Sequence, residues 1–122
     1  MQARFVHWCE HVLDLDKSME FYEKALGMHE TRRVGPADGS WCNVYMANDA
    51  ADVEIELTWN DGRTEPYANG GMDVHIAFCV DDFDAYHELH ASMGCIQKEN
   101  LAMGLYFITS PDGDRIEILP EH

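Results

Sequence analysis

The sequence predicts an α+β fold built from one strand–helix–strands unit written twice. Three observations carry this reading. A short run of period-two alternation opens each half, at Phe5 to Val12 and again at Val74 to Val80. An acidic pair then leads into a helical stretch closed by glycine, Asp14 and Asp16 before Gly27 and Asp81-Asp82 before Gly94. The spacing also repeats: His7 lies 20 residues before Gly27, and His75 lies 19 before Gly94.

In the first half, His7, Cys9 and His11 alternate with Trp8, Glu10 and Val12, which is strand periodicity. Leu15, Met19, Tyr22 and Leu26 then fall at helical spacing, predicting a helix over Lys17 to Leu26. Asp14 or Asp16 caps its start, and Gly27 supplies the left-handed residue at its end. Arg32 and Arg33 fall in a strand after that helix. Asn43 to Met46 and Asp52 to Trp59 are further strands, separated by the turn-forming Asn48-Asp49.

The second half restarts at Asp73. His75, Ala77 and Cys79 alternate with Ile76, Phe78 and Val80, a helix is predicted over Phe83 to Met93, and Gly94 closes it. Leu105 to Thr109 and Arg115 to Leu119 are strands joined by the turn Ser110-Pro111-Asp112-Gly113. Arg63 to Met72, with Pro66, Gly70 and Gly71, reads as the connector. The expectation is one domain over residues 1–122, with internal modules at about 1–62 and 72–122. Either module alone is too small to bury both faces of its sheet, so the two are expected to pack or pair.

Composition narrows the function classes. At 122 residues with 46% hydrophobic and 25% charged residues, the chain is of ordinary globular type. Acids outnumber bases 23 to 8, a formal net charge of −15. Phosphate-backbone binding needs clustered Lys and Arg, so no nucleic-acid partner is expected, and adhesion to anionic membranes is disfavoured. No run approaches a spanning helix, and the N-terminal residues carry no signal-type apolar core, so the expected location is cytoplasmic. Cys9, Cys42, Cys79 and Cys95 are widely spaced without a C-x-x-C pair, which excludes a zinc ribbon and fits free thiols in a reducing compartment.

The duplication singles out four residues. His7 and His75 occupy the same place in the first strand of their halves, and Glu56 and Glu117 the same place in the last. Each has apolar neighbours on both sides, so alternation puts all four on the face opposite the core. Two imidazoles and two carboxylates suit a first-row divalent ion, and octahedral coordination leaves two positions for water or substrate oxygens. Taken singly, a strand histidine is usually a packed or surface residue; the repeated placement is what gives the set meaning.

Other patterns carry less. His7-Trp8-Cys9-Glu10-His11 spells H-x-x-E-H, but that motif needs a helix and this run has period two. His87-Glu88-Leu89-His90 sits on a helix one residue short of H-E-x-x-H and is expected to form an exposed helical face. The methionines Met19, Met28, Met46, Met72, Met93 and Met103 are expected to fill core or line a pocket.

Several segments together resemble the vicinal oxygen chelate superfamily and, within it, glyoxalase I (lactoylglutathione lyase). Val12 to Tyr22 followed by Leu26-Gly27-Met28 is similar to the family's first helix signature. Ile55-Glu56-Leu57-Thr58-Trp59-Asn60 resembles its E-L-T-x-N segment, His75-Ile76-Ala77 its H-I-A motif, and Pro111 to Glu117 its P-D-G-x-x-I-E motif. The resemblance covers almost the whole chain. It implies two βαβββ modules of the glyoxalase/bleomycin resistance/dioxygenase fold and a homodimer. It makes His7, Glu56, His75 and Glu117 the ligands of a divalent metal, Ni²⁺ or Co²⁺ preferred and Zn²⁺ possible.

The implied reaction isomerises the hemithioacetal of methylglyoxal and a thiol, glutathione or similar, to an S-lactoyl thioester. Glu117 is then the main base, with Glu56 as ligand and partner carboxylate. Asn60 matches the family's thiol-contacting asparagine, and His11 stands where glutathione-dependent members usually carry an arginine. The tryptophan that usually follows the asparagine is Asp61, and Ala102-Met103-Gly104 replaces basic residues ahead of Leu105. The identity of the thiol is therefore open. The alternative reading is a metalloprotein of the same superfamily with another activity, epimerase-like or sequestering a ligand or antibiotic.

Overall fold

The computed structural model describes residues 1–121. The chain divides into two compact units, Met1–Tyr67 and the remainder from Ala68. The first contains β1 (His7–Val12), α1 (Leu15–Leu26), β2 (His29–Val34), β3 (Trp41–Ala47) and β4 (Glu54–Asn60). The second contains a short 3₁₀ turn at Gly71–Asp73, then β5 (Ile76–Val80), α2 (Phe83–Met93), β6 (Ile96–Asn100), β7 (Leu105–Thr109) and β8 (Arg115–Pro120). Each unit is thus a βαβββ module, as the sequence predicts.

The two sheets share one topology, β1-β4-β3-β2 and β5-β8-β7-β6. The first strand of each unit runs parallel to the last, and the other pairs are antiparallel. A parallel pair needs a long crossover, which the helix and the two intervening strands supply. The outer pairs β2–β3 and β6–β7 each carry a register shift, between Glu30 and Arg32 and between Ile96 and Lys98.

Both helices are capped as their sequences require. The Asp14 carboxylate accepts from the Lys17 amide at 3.0 Å, so the helix starts at Leu15 and Asp16 falls in its first turn. The Asp82 carboxylate accepts from the Ala85 amide at 3.0 Å. Gly27 and Gly94 end the helices at φ of 62° and 68°, a region that costs glycine nothing.

In the first unit, Tyr22, Ala25 and Leu26 of α1 pack with Val12, Val44, Met46, Ile55 and Leu57, all buried. Glu10 shares that inward face of β1, and its carboxylate accepts a hydrogen bond from the Tyr22 hydroxyl, which makes its burial tolerable. In the second unit the buried set is Val80, Tyr106, Ile108, Ile116 and Ile118. Met28 and Met46 are core residues, whereas Met72 and Met103 are exposed.

The expectation for His87 to His90 needs correction. His90 is fully buried, its Nδ1 2.8 Å from the Tyr106 hydroxyl, because the inward face of α2 lies on β7. Burial pushes the Tyr106 phenol above its ordinary range, so it stays a neutral partner for the imidazole. His87, half-buried, instead reaches Glu99 on β6 at 2.6 Å.

Asp14→Ala and Asp82→Ala should each lower unfolding free energy by about 1 kcal/mol, the usual worth of an aspartate N-cap. Asp16→Ala should cost only a few tenths. Urea denaturation of the three variants distinguishes the two effects.

Candidate metal centre

The parallel pairing places a histidine and a glutamate side by side in each unit. Cys9 is in register with Glu56 across β1 and β4, so His7 lies two residues up the strand, on the same face. Ala77 is in register with Glu117 across β5 and β8, so His75 stands in the same relation to that glutamate. The His7 Nε2 is 3.7 Å from Glu56 Oε2, and the His75 Nε2 is 3.9 Å from Glu117 Oε1. Both separations exceed hydrogen-bond length, so neither pair spends its lone pairs on the other. The carboxylates are mostly shielded and the imidazoles half open, at 13% and 18% against 37% and 41% side-chain exposure.

An aromatic ring backs each imidazole. Tyr45 on β3 meets the His7 ring edge-on at 5.7 Å, and Phe107 on β7 meets His75 edge-on at 5.4 Å. Tyr45 also donates its hydroxyl hydrogen to Glu56 Oε2, and Thr58 Oγ1 lies 3.2 Å from Glu56 Oε1. Burial opposes ionisation of Glu56, but the hydrogen bonds from Tyr45, Cys9 and Thr58 outweigh it and hold the carboxyl below its usual range. Burial also raises the Cys9 thiol, whose Sγ is 3.4 Å from Thr58 Oγ1. All four cysteines are free.

Asn60 and His11 converge on a residue that sequence reasoning did not select, Tyr67. The Asn60 amide donates to the Tyr67 hydroxyl at 3.3 Å, and the His11 ring lies 5.1 Å from the Tyr67 ring. The Arg63 guanidinium covers the same ring at 4.2 Å while bonding the carbonyls of Glu65 and Pro66. Arg32 and Arg33 do not stand free as anion anchors. Arg32 lies 3.5 Å above the Tyr45 ring and pairs with Glu54 at 3.3 Å, and Arg33 pairs with Glu30 at 2.9 Å.

The donor set fits a divalent metal by its chemistry: an imidazole nitrogen and a carboxylate oxygen, adjacent and uncommitted to each other, in each unit. Among the described residues, no three His, Cys, Asp or Glu side chains gather into a metal-holding group. Each unit therefore holds one adjacent imidazole and carboxylate.

The duplicated βαβββ module is the fold of the vicinal oxygen chelate class. The chain belongs to the Glyoxalase/Bleomycin resistance protein/Dioxygenase superfamily, whose model matches residues 4–118. It is 32% identical to a lactoylglutathione lyase of Haemophilus influenzae, over 95% of this chain and 91% of that protein. Its structure is similar to the trypanothione-dependent glyoxalase I of Leishmania major, with a TM-score of 0.85 and 29% identity, covering 98% of this chain and 88% of that one. It shares its fold with the fosfomycin resistance protein FosX of Listeria monocytogenes, solved with Mn(II) and 1S,2S-dihydroxypropylphosphonic acid. There the TM-score is 0.75 and identity 22%, over 98% of this chain and 93% of that one. No helix of the described residues is long and apolar enough to cross a membrane.

Proposed function

We propose that this protein is a metal-dependent glyoxalase I-like lyase acting on the hemithioacetal of methylglyoxal and a thiol. The observation that carries the reading is the matched pair of half-sites, His7 with Glu56 and His75 with Glu117, in a chain similar to lactoylglutathione lyases along its length. The four side chains are read together as the ligands of one divalent ion, Ni²⁺ or Co²⁺ in preference to Zn²⁺, in a cytoplasmic homodimer. A divalent ion held there would offset the negative charge that develops on the two adjacent oxygens of the substrate.

The chain's own part is proton transfer and positioning. Glu117 takes the proton from the carbon that bears sulfur and returns it to the neighbouring carbon, turning an α-oxo hemithioacetal into a 2-hydroxy thioester. Glu56, held by Tyr45 and Thr58, stays in place as ligand and partner carboxylate. Asn60, His11 and Tyr67, with the Arg63 guanidinium over the Tyr67 ring, form a polar and aromatic patch suited to the thiol portion.

Electrostatics favours a thiol other than an anionic tripeptide. His11 takes the place of the family's arginine, Arg32 and Arg33 are already paired, and the chain carries −15. At low ionic strength, kcat/KM with a neutral or cationic thiol should exceed that with glutathione. The gap should narrow as salt is raised; a preference for glutathione that grows at low salt would contradict this assignment.

The decisive test uses metal-stripped protein reloaded separately with Ni²⁺, Co²⁺ and Zn²⁺, following thioester absorbance with methylglyoxal and several thiols. Ni²⁺- or Co²⁺-dependent turnover is expected, and Glu117→Gln should cut it by at least about a hundredfold with the fold intact. Tight metal binding with no turnover for any thiol would instead select the other superfamily reading, an epimerase-like or ligand-sequestering metalloprotein.

A further inference from the structure

The two half-sites share one plan and differ in the donors around their glutamates. Tyr45 is in register with Glu56, and Phe107 is in register with Glu117. Each ring meets its histidine edge-on, and each carries a guanidinium over its face, Arg32 at 3.5 Å and Arg115 at 4.2 Å. The rings are equivalent but the cations are not, since Arg32 is in register with Tyr45 on β2, whereas Arg115 lies two residues before Glu117 on β8; and Tyr45 has a hydroxyl where Phe107 has none.

The difference extends to every neighbour that could donate. Tyr45 bonds Glu56 Oε2 and Thr58 bonds Oε1, with Cys9 supporting Thr58 at 3.4 Å. The positions matching Tyr45, Thr58 and Cys9 around Glu117 are Phe107, Leu119 and Ala77, all apolar. Of the cations on neighbouring strands, Arg115 is spent on Gln97 and the Met72 carbonyl, both at 2.9 Å, and Lys98, in register with Phe107, forms no ion pair among the described residues. Among the described residues no hydrogen bond reaches the Glu117 carboxylate, and its polar contact is His75 at 3.9 Å.

We infer that Tyr45 is a positioning residue that fixes Glu56 as a stationary carboxylate, and that the phenylalanine in the matching place leaves Glu117 the mobile one. A carboxylate with a donor on each oxygen must break both bonds to turn, yet each oxygen keeps a second lone pair for a metal. A carboxylate with none turns freely between a ligand position and a substrate carbon. Outer-shell partners of this kind are typically worth 10- to 100-fold in metal affinity. The inference rests on the metal-lyase reading, and the hydroxyl donors present around one glutamate and absent around the other set the division of labour within it.

The test titrates metal-stripped wild type, Tyr45→Phe, Thr58→Val and Phe107→Tyr with Co²⁺ against a competing chelator. Visible absorption reports the ligand field, and turnover is measured on the loaded proteins. Tyr45→Phe should weaken Co²⁺ binding roughly 10- to 100-fold and alter the Co²⁺ spectrum, with Thr58→Val moving both in the same direction by less. Phe107→Tyr should bind Co²⁺ at least as well as wild type and lose about tenfold or more in kcat, because Glu117 becomes tethered. Wild-type affinity and spectrum in both Tyr45→Phe and Thr58→Val overturn the role given to Tyr45, and undiminished kcat in Phe107→Tyr overturns the role given to Phe107. Wild type that takes up no Co²⁺ overturns the metal reading and this inference together, so the two failures are distinguishable. If Tyr45→Phe does not fold, Thr58→Val and Phe107→Tyr decide the matter alone.

Discussion

Within each unit, the parallel pairing of the first strand with the last sets the register on which the site depends. Pairing Cys9 with Glu56, and Ala77 with Glu117, brings a histidine and a glutamate from opposite ends of a module onto one face of its sheet. A slip of one residue would turn Glu56 toward α1 and bring Leu57 onto the site face. The apolar stripes of β4 and β8 hold that register, because Ile55 and Leu57, and Ile116 and Ile118, are all buried. Core packing on one side of the sheet thereby positions the chemistry on the other.

Duplication supplies this geometry twice without requiring the two copies to stay chemically alike. The rings that meet each histidine edge-on are matched, whereas the donors around the glutamates are not. Strand positions facing the site can diverge at little cost in stability, since the core face is what holds each module together. A repeated fold can in this way yield one restrained carboxylate and one mobile one.

The polar patch around Tyr67 follows a similar logic. Arg63 is drawn onto the Tyr67 ring and the carbonyls of Glu65 and Pro66, which fix its guanidinium against the turn without neutralising it. Arg32 and Arg33 are paired with acids, whereas Arg63 stands over the Tyr67 ring beside Asn60 and His11.

The sequence alone determined the repeat, both helices, the capping glycines, the inner strands and, in each unit, the sheet face that carries the histidine and glutamate, His7 with Glu56 and His75 with Glu117. Local periodicity and cap chemistry write those features into neighbouring residues. It placed Arg32 and Arg33 in a strand without giving the bounds of β2 and did not define β6, because their exposed, charged runs lack the alternation that a half-buried strand shows. His90 likewise looked like a surface residue until tertiary packing laid it on Tyr106. The roles of Tyr45, Thr58 and Tyr67 were also decided only by the tertiary structure. Tyr45 meets Glu56 through pairing between strands eleven residues apart, and Tyr67 meets Asn60 and His11 through the return of a loop. Which carboxylate is restrained is set by cross-strand neighbours, and those exist only once the register is formed.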